Sequence, residues 1–236
     1  MVDGDHARIH FTAELARLEE QTLGALDMVV AALNRVMESL HHQDIELAGL
    51  VIMDDDRIDG RYLEVHQGIL SLLARQAPVA SDLRLVAGLL HVIRHAERIG
   101  DQCVNIAKLL PLTGTQPPVQ QELLERVEEM GRCAASQVAQ SKVAFETRDV
   151  ELAADLVRQD MRINQLNREC FQLVVDLGED PDVREWALTM MLVARAIERI
   201  GDNAVDIGEQ VAFVVTGLFR EFSDASRNLR ARPADV

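Results

Sequence analysis

Two pairs of carboxylates with helical spacing are the residues of this chain best suited to chemistry. Glu97 and Asp101 are four residues apart, and so are Glu198 and Asp202. Side chains at positions i and i+4 lie one turn apart on the same face of a helix. Their oxygens can therefore converge on one hard cation, or bridge two of them. Asp206, four residues after Asp202, would extend the second pair into a row of three.

Both pairs belong to a segment that occurs twice. Residues 94–106 read RHAERIGDQCVNI and residues 195–207 read RAIERIGDNAVDI, with eight of thirteen positions identical at an offset of 101. Two earlier blocks repeat at an offset of 105: DIELA with DVELA, which starts at Asp149, and DDRID with DMRIN, which starts at Asp160. Blocks repeated in the same order predict a duplicated unit of about 105 residues.

Long stretches with helical periodicity predict three long helices in each unit, joined by short connections that make neighbours antiparallel. The first helix should run from about His10 to His41. The second should start near Asp44, a good N-cap residue, and end before Pro78. The third should cover about residues 79–110. The predicted fold is therefore all-α, with two tandem three-helix bundles.

The loop-rich segment at residues 112–118 predicts the boundary between the repeats. We expect a first repeat at residues 1–112, a second at 117–219 and a frayed tail at 220–236. The offset falls from 105 to 101 before the third helix. This change predicts a loop around residues 178–181 that is about four residues shorter than its counterpart in the first repeat.

A metal site on the third helices would need ligands from a second helix. Asp55 and Asp59 in the first repeat, and Asp160 with Asn164 in the second, occupy matching positions and are the candidates. On a helical wheel the carboxylates of the third helices point away from the apolar stripe, which is the predicted core face. Gly100 and Gly201, inside the repeated motif, would allow a neighbouring backbone or ligand to approach closely.

Two alternatives compete with a metal-binding regulatory surface. One is an ordinary salt-bridged helix face, because Arg94 and Arg98 flank the first pair as Arg195 and Arg199 flank the second. The chain would then be a purely structural bundle. The other is a carboxylate-bridged metalloenzyme, an oxidase or a hydrolase, which would need inward-facing carboxylates around an open metal position. The histidine pair His91 and His95 has no counterpart in the second repeat and is predicted to be exposed.

Composition limits the partners. A net charge of −15 disfavours direct contact with nucleic acid or an anionic membrane, and suits cations or a partner with a basic face. Three widely spaced cysteines, Cys103, Cys133 and Cys170, are typical of reduced, buried thiols in the cytosol. No signal peptide or membrane span is recognisable, which predicts a cytoplasmic protein. Phosphate-binding loops, dinucleotide fingerprints and a nucleophile with its base are also missing from the sequence, which predicts a non-enzymatic role.

The doubled motif E-R-I-G-D-x-x-V-x-I resembles the PhoU family of accessory regulators of bacterial phosphate uptake. H-F-x-x-E-L at residues 10–15 and D-x-R-I-[DN] on both second helices share the resemblance, which covers about residues 8–219. It implies two three-helix bundles without catalytic activity. It also implies repression of the phosphate-starvation response, through contacts with the ATPase subunit of the phosphate ABC transporter and a membrane sensor histidine kinase, and a homodimer that meets the membrane only through its partners.

The resemblance also implies metal ions on the E/D-x-x-x-D motifs, where some family members carry iron, zinc or other metals. Nickel, magnesium and manganese are further candidates for this chain. The motif residues here are Glu97 with Asp101, and Glu198 with Asp202, with Asp206 extending the second site. Asn105 stands at the place matching Asp206, so the resemblance implies a first site that binds fewer ions or binds them more weakly.

Overall fold

The architecture is entirely helical in the part of the chain that the structure, a computed structural model, describes: residues 2–114, 117–219 and 221–222. The elements, in chain order, are α1 (Val2–His42), α2 (Ile45–Arg75), α3 (Ala80–Leu109), a short 3-10 helix (Leu110–Thr113), α4 (Gln121–Thr147), α5 (Val150–Leu177) and α6 (Pro181–Thr216). Helices α1–α3 form one bundle and α4–α6 the other, which confirms the predicted fold class. None of the described helices is long and apolar enough to cross a membrane.

The turn between the first and second helices is built in the same way in both repeats. Gln43 and Arg148 have left-handed backbones, with φ of 54° and 57°. The next residues, Asp44 and Asp149, are N-caps whose side chains each accept a hydrogen bond of 2.9 Å from a first-turn amide. Such caps satisfy an amide that the helix itself leaves unbonded. The predicted cap at Asp44 is confirmed. Because the two turns match, a residue of α1 corresponds to the residue of α4 that lies 105 positions later.

Some predicted boundaries differ from the structure. Helix α1 begins at Val2 rather than near His10. The connection at residues 178–180 has three residues against four at 76–79, whereas α5 has 28 residues against 31 in α2. The predicted loop shortening was therefore wrong, because three of the four missing residues come from the helix. An offset between motifs counts lost residues but does not locate them.

The third helices bury two faces rather than one. The predicted stripe of α3, from Val92 to Leu110, and that of α6, from Val193 to Val211, are buried in their own bundles. In addition α3 packs on α6, and α1 packs on α4. Residues of both repeats therefore belong to one continuous hydrophobic core. The division into residues 1–112 and 117–219 stays a prediction. The predicted tail, apart from residues 221 and 222, lies outside the described residues.

The continuous core predicts that the two repeats unfold together. Leu26 is fully buried in α1. Leu26→Ala leaves a cavity there, which should lower the free energy of unfolding by about 2–5 kcal/mol. Trp186, the only tryptophan, lies in the second repeat and is 2% exposed. Its fluorescence midpoint in urea should fall together with the circular dichroism midpoint.

The matched control is Leu50→Ala, a leucine on α2 that is 52% exposed, which should shift both midpoints by less than about 0.5 kcal/mol. An unchanged Trp186 transition in Leu26→Ala, with a shifted dichroism curve, would show two independent cores instead.

Candidate functional site

Each repeated motif meets the second helix of its own bundle at its glycine. A Cβ added at Gly100 would lie 3.0 Å from Oδ1 of Asp55 and 3.2 Å from carbons of Ile58. A Cβ at Gly201 would lie 2.9 Å from Oδ1 of Asp160. Both distances are too short for an ordinary contact, so side chains of the second helix reach the backbone of the third helix only because the glycine has no side chain. The structure thus brings a second-helix aspartate beside the glycine of each motif, and the shared metal sites remain a prediction.

The first acidic cluster consists of Asp55 and Asp59 on α2 with Glu97 and Asp101 on α3. The pKa of Asp55 is raised from 3.8 to about 6. Burial is the main cause, and the neighbouring charges of Asp59 and Asp101 add to it. Burial is also the main cause that raises the pKa of Glu97, with Asp101 adding to it and Arg94 opposing it. The charge of Asp101 thus opposes the ionisation of both Asp55 and Glu97, which places these three carboxylates close together.

The second acidic cluster consists of Asp160, Asn164, Glu198 and Asp202, and it carries one carboxylate fewer. The amide of Asn164 donates a hydrogen bond of 2.6 Å to Oδ2 of Asp160. Burial raises the pKa of Glu198, while its ion pair with Arg195 lowers it. In the second cluster, Asn164 therefore provides a hydrogen bond to one carboxylate and Arg195 provides an ion pair to another.

The outward orientation predicted for the acidic rows is right for the aspartates and wrong for the glutamates. Asp101 and Asp202 are exposed. The Glu97 side chain is only 16% exposed and that of Glu198 only 12%. The helical wheel considered the apolar stripe of one helix alone and did not include the neighbouring helices, although α2 packs on α3 and α5 packs on α6. Arg94 also covers Glu97, because its guanidinium lies 3.1 Å from that carboxylate.

Asp206 and His95 take part in the contact between the two bundles. His95 was predicted to be exposed, but it is 8% exposed on the face of α3 that packs against α6. Its Nδ1 lies 2.8 Å from Oδ1 of Asn203 and 3.6 Å from Oδ2 of Asp206. Burial lowers the pKa of His95. Asp206 thus contacts His95 across the contact between the two bundles. Its place in the second metal site stays a prediction.

The donor chemistry of the acidic clusters suits a hard cation. Oε2 of Glu97 is buried and has no hydrogen-bond donor, and Asp55 is engaged in no hydrogen bond or ion pair among the described residues. Carboxylate oxygens in such surroundings gain from a bound cation. No three His, Cys, Asp or Glu side chains in the described ranges are already arranged around a common metal position. Binding would therefore require side chains of a cluster to rotate toward the ion.

The cysteines lie largely inside the bundles. Cys103 and Cys170 are buried as predicted, and Cys133 is only half-buried. Burial raises the pKa of Cys170 to about 11, and it raises that of Cys103 still further. The two buried thiols therefore stay protonated at neutral pH, which makes them poor ligands for a metal.

Motif comparison missed a groove behind the first acidic cluster. It has a volume of about 270 Å³ and reaches Asp55 and Gly100 from the side of α1. Arg35 of α1 forms an ion pair with Asp54 on the groove lining. Aligning α1 with α4 at an offset of 105 would have revealed the signal, because Gln137 then matches Ala32 of the groove.

Two tandem three-helix bundles with an acidic motif on each third helix define a class of duplicated helical proteins. Within that class, the PhoU domain model matches residues 23–110 and 127–211. The chain belongs to the PhoU family.

Several named relatives are similar over most of their length. The phosphate-specific transport system accessory protein PhoU homolog 1 of Thermotoga maritima is 31% identical, over 90% of this chain and 91% of the relative. The Escherichia coli accessory protein PhoU is 30% identical, over 90% of this chain and 88% of that protein. The crystal structure of PhoU from Pseudomonas aeruginosa has a TM-score of 0.83 at 27% identity, covering 88% of this chain and all of that one.

The raised pKa of Asp55 predicts a pH-dependent gain in stability on removing its charge. Because the folded-state pKa of about 6 exceeds the ordinary 3.8, the folded protein binds this proton more tightly than the unfolded chain. Its contribution to stability therefore falls as the pH rises from about 4 to 6. In chelator-treated protein, Asp55→Asn should raise the melting temperature at pH 7.5 and change it little at pH 4. The control Asp176→Asn removes an exposed carboxylate outside the cluster, and an equal gain there would exclude this cause.

The close approach at Gly201 predicts an unusual response to alanine. Alanine normally stabilises a helix by about 1 kcal/mol relative to glycine. Gly49→Ala on α2, where nothing lies within 4 Å of the new carbon, should show that gain in urea unfolding. Gly201→Ala should instead lose about 1 kcal/mol, because overpacking costs about 1–3 kcal/mol. Equal stabilisation by both substitutions would contradict the close approach.

Proposed function

We propose that this protein is a negative regulator of the phosphate-starvation response and of phosphate uptake. It acts as an adaptor that couples the phosphate ABC transporter, through its ATPase subunit, to a sensor histidine kinase. The main support is the duplicated acidic motif on the third helices of a chain that belongs to the PhoU family. Relatives are named as accessory proteins of a phosphate-specific transport system, and one solved relative is titled a phosphate transport system regulatory protein. In this proposal the protein works in the cytoplasm.

Metal ions on the acidic clusters are part of the proposal. In the first repeat Asp55, Asp59, Glu97 and Asp101 would supply the ligands, and in the second Asp160, Glu198 and Asp202 would do so. A bound divalent or trivalent ion, with iron, zinc, nickel, magnesium and manganese as candidates, would neutralise mutually repelling carboxylates. Raised pKa values at Asp55 and Glu97, which burial and neighbouring charges cause, support this role.

The charge count of the clusters supports a different order of affinity from that implied by the resemblance. The first cluster has four carboxylates, whereas Asn164 replaces one in the second and its amide already bonds Asp160. A hard cation is held more tightly by more carboxylate charge. We therefore assign the tighter site to the first repeat, despite Asn105, which is exposed on α3.

A non-enzymatic adaptor needs surfaces for partners. Leu188 and Leu192 of α6 lie one helical turn apart and are 55% and 57% exposed, which suits contact with another protein. We include in the proposal a homodimer, whose mass light scattering would measure. That the named relatives are accessory or regulatory proteins supports the absence of catalysis.

The double variant Glu198→Ala, Asp202→Ala tests the proposal in cells and in solution. A reporter of phosphate-starvation genes, silent in high phosphate with the wild-type protein, should rise several-fold in this variant. For purified protein, a divalent ion that binds the folded state should raise the melting temperature. That rise should be smaller in the double variant, because one cluster has lost two ligands.

The matched control is Glu122→Ala, Glu125→Ala, which removes the same charge from two exposed carboxylates of α4. It should repress normally and keep the full response to metal. Normal repression by a folded Glu198→Ala, Asp202→Ala protein would eliminate the motif from regulation. An unchanged melting response with lost repression would retain the adaptor role and reject a metal ion in the second cluster.

A further inference from the structure

The first-repeat groove lies between α1 and α2 and ends on α3. Its walls are mainly apolar, with Met28, Ala32 and Ile58 among them, and its inner end reaches the buried residues Gly100 and Cys103. The volume of about 270 Å³ is near the lower limit for small-molecule pockets, which are mostly apolar with a few polar groups. The groove is therefore large enough for a small organic molecule.

A second groove occupies the corresponding place in the other repeat. At the offset of 105 fixed by the matched turns, Asp27, Met28 and Ala31 of the first groove correspond to Arg132, Cys133 and Ser136 of the second. The lining of the second groove is confined to α4 and α5 and does not reach Gly201. The two repeats thus share one groove position but differ in its depth and charge.

Gln137 explains why the second groove, although larger at about 380 Å³, does not reach the third helix of its repeat. It stands at the position of Ala32, and its side chain is completely buried. Its Nε2 donates a hydrogen bond of 3.0 Å to the carbonyl oxygen of Leu156, and its Oε1 lies 3.1 Å from the Cβ position of Gly201. A polar side chain therefore fills the space in the second repeat. In the first repeat Ala32 leaves the same space open.

One carboxylate of the first-repeat groove is left without a cationic partner. Of its three aspartates, Asp27 binds Lys142 through both oxygens at 2.8 Å, and Asp54 pairs with Arg35. Asp55, the third, is paired with no cationic side chain within the described ranges. Arg57 also lines the groove but is exposed and forms no ion pair with Asp55. The groove thus offers an uncompensated carboxylate next to apolar walls.

We infer that the first-repeat groove binds a small organic monocation with a short apolar body, such as an amidinium or alkylammonium compound. The N–H groups of its head donate to the carboxylate of Asp55, which lines the groove. Its body packs on Met28, Ala32 and Ile58 in place of the missing side chain. The inference goes beyond the proposed regulation and shares with it only Asp55.

The test uses benzamidinium as the probe and the full, chelator-treated chain with carbon-13 methyl groups in Met and Ile. Saturable shifts are expected at Met28 and Ile58. Ala32→Gln, which copies the residue of the second repeat, should weaken binding at least about tenfold by filling the groove, a loss of about 1.4 kcal/mol. Ala32→Leu is a second filling variant, in case the glutamine disturbs folding. Ala31→Ser also copies the second repeat but leaves the groove open, and should bind normally.

Two outcomes would overturn the inference. One is unchanged affinity in the folded filling variants. The other is equal affinity for benzyl alcohol, a neutral probe of similar size, since this would make the groove merely apolar. Asp101→Asn separates the two proposals, because Asp101 does not line the groove. It should weaken the response to metal and leave the benzamidinium shifts intact, so that either proposal can fail while the other stands.

Discussion

The missing side chains at Gly100 and Gly201 are the constraint on which both acidic clusters depend. A carboxylate oxygen of the second helix lies 3.0 Å and 2.9 Å, respectively, from the position where a Cβ would stand. Ile58 and Ile163 pack at the same two glycines. The packing of these isoleucines therefore keeps the second-helix aspartates close to the carboxylates of the motif, although the negative charges repel one another. A larger residue would push the helices apart and remove Asp55 and Asp160 from the motif.

Repetition made much of the fold predictable. The apolar stripes of the third helices and the cap at Asp44 follow from spacing within one repeat, whereas Asp55 was selected because Asp160 stands at the matching position of the other repeat. A contact between repeats leaves no such pattern. A helical wheel assigns one buried face to α3, whereas this helix has two because it also packs on α6. For that reason His95 was wrongly predicted to be exposed, and the contact of Asp206 with it was missed.

The two repeats share a backbone plan but differ in the polar residues that surround the glycine of the motif. In the second repeat Asn164 bonds Asp160, and Gln137 fills the space over Gly201. In the first repeat Asp59 and Ala32 occupy those positions, so one more negative charge and an open groove remain. Each repeat nevertheless keeps a buried oxygen without a hydrogen-bond donor, Oε2 of Glu97 in the first and Oε1 of Gln137 in the second. Unsatisfied groups are costly in a folded protein and are therefore informative about ligands.

The raised pKa values in the first cluster bear on the proposed regulation. A carboxylate whose pKa is raised by folding makes the ionised folded state less stable, and a cation that neutralises it reverses that loss. The first acidic cluster spans α2 and α3, so such an ion would stabilise the contact between these two helices. Helix α3 packs in turn on α6. A ligand shifts a conformational equilibrium only by its difference in affinity between two states. A cluster whose ligands come from two helices would bind an ion with different affinity in two arrangements of those helices. Any relative movement of α2 and α3 changes the separation of Asp55 and Asp101.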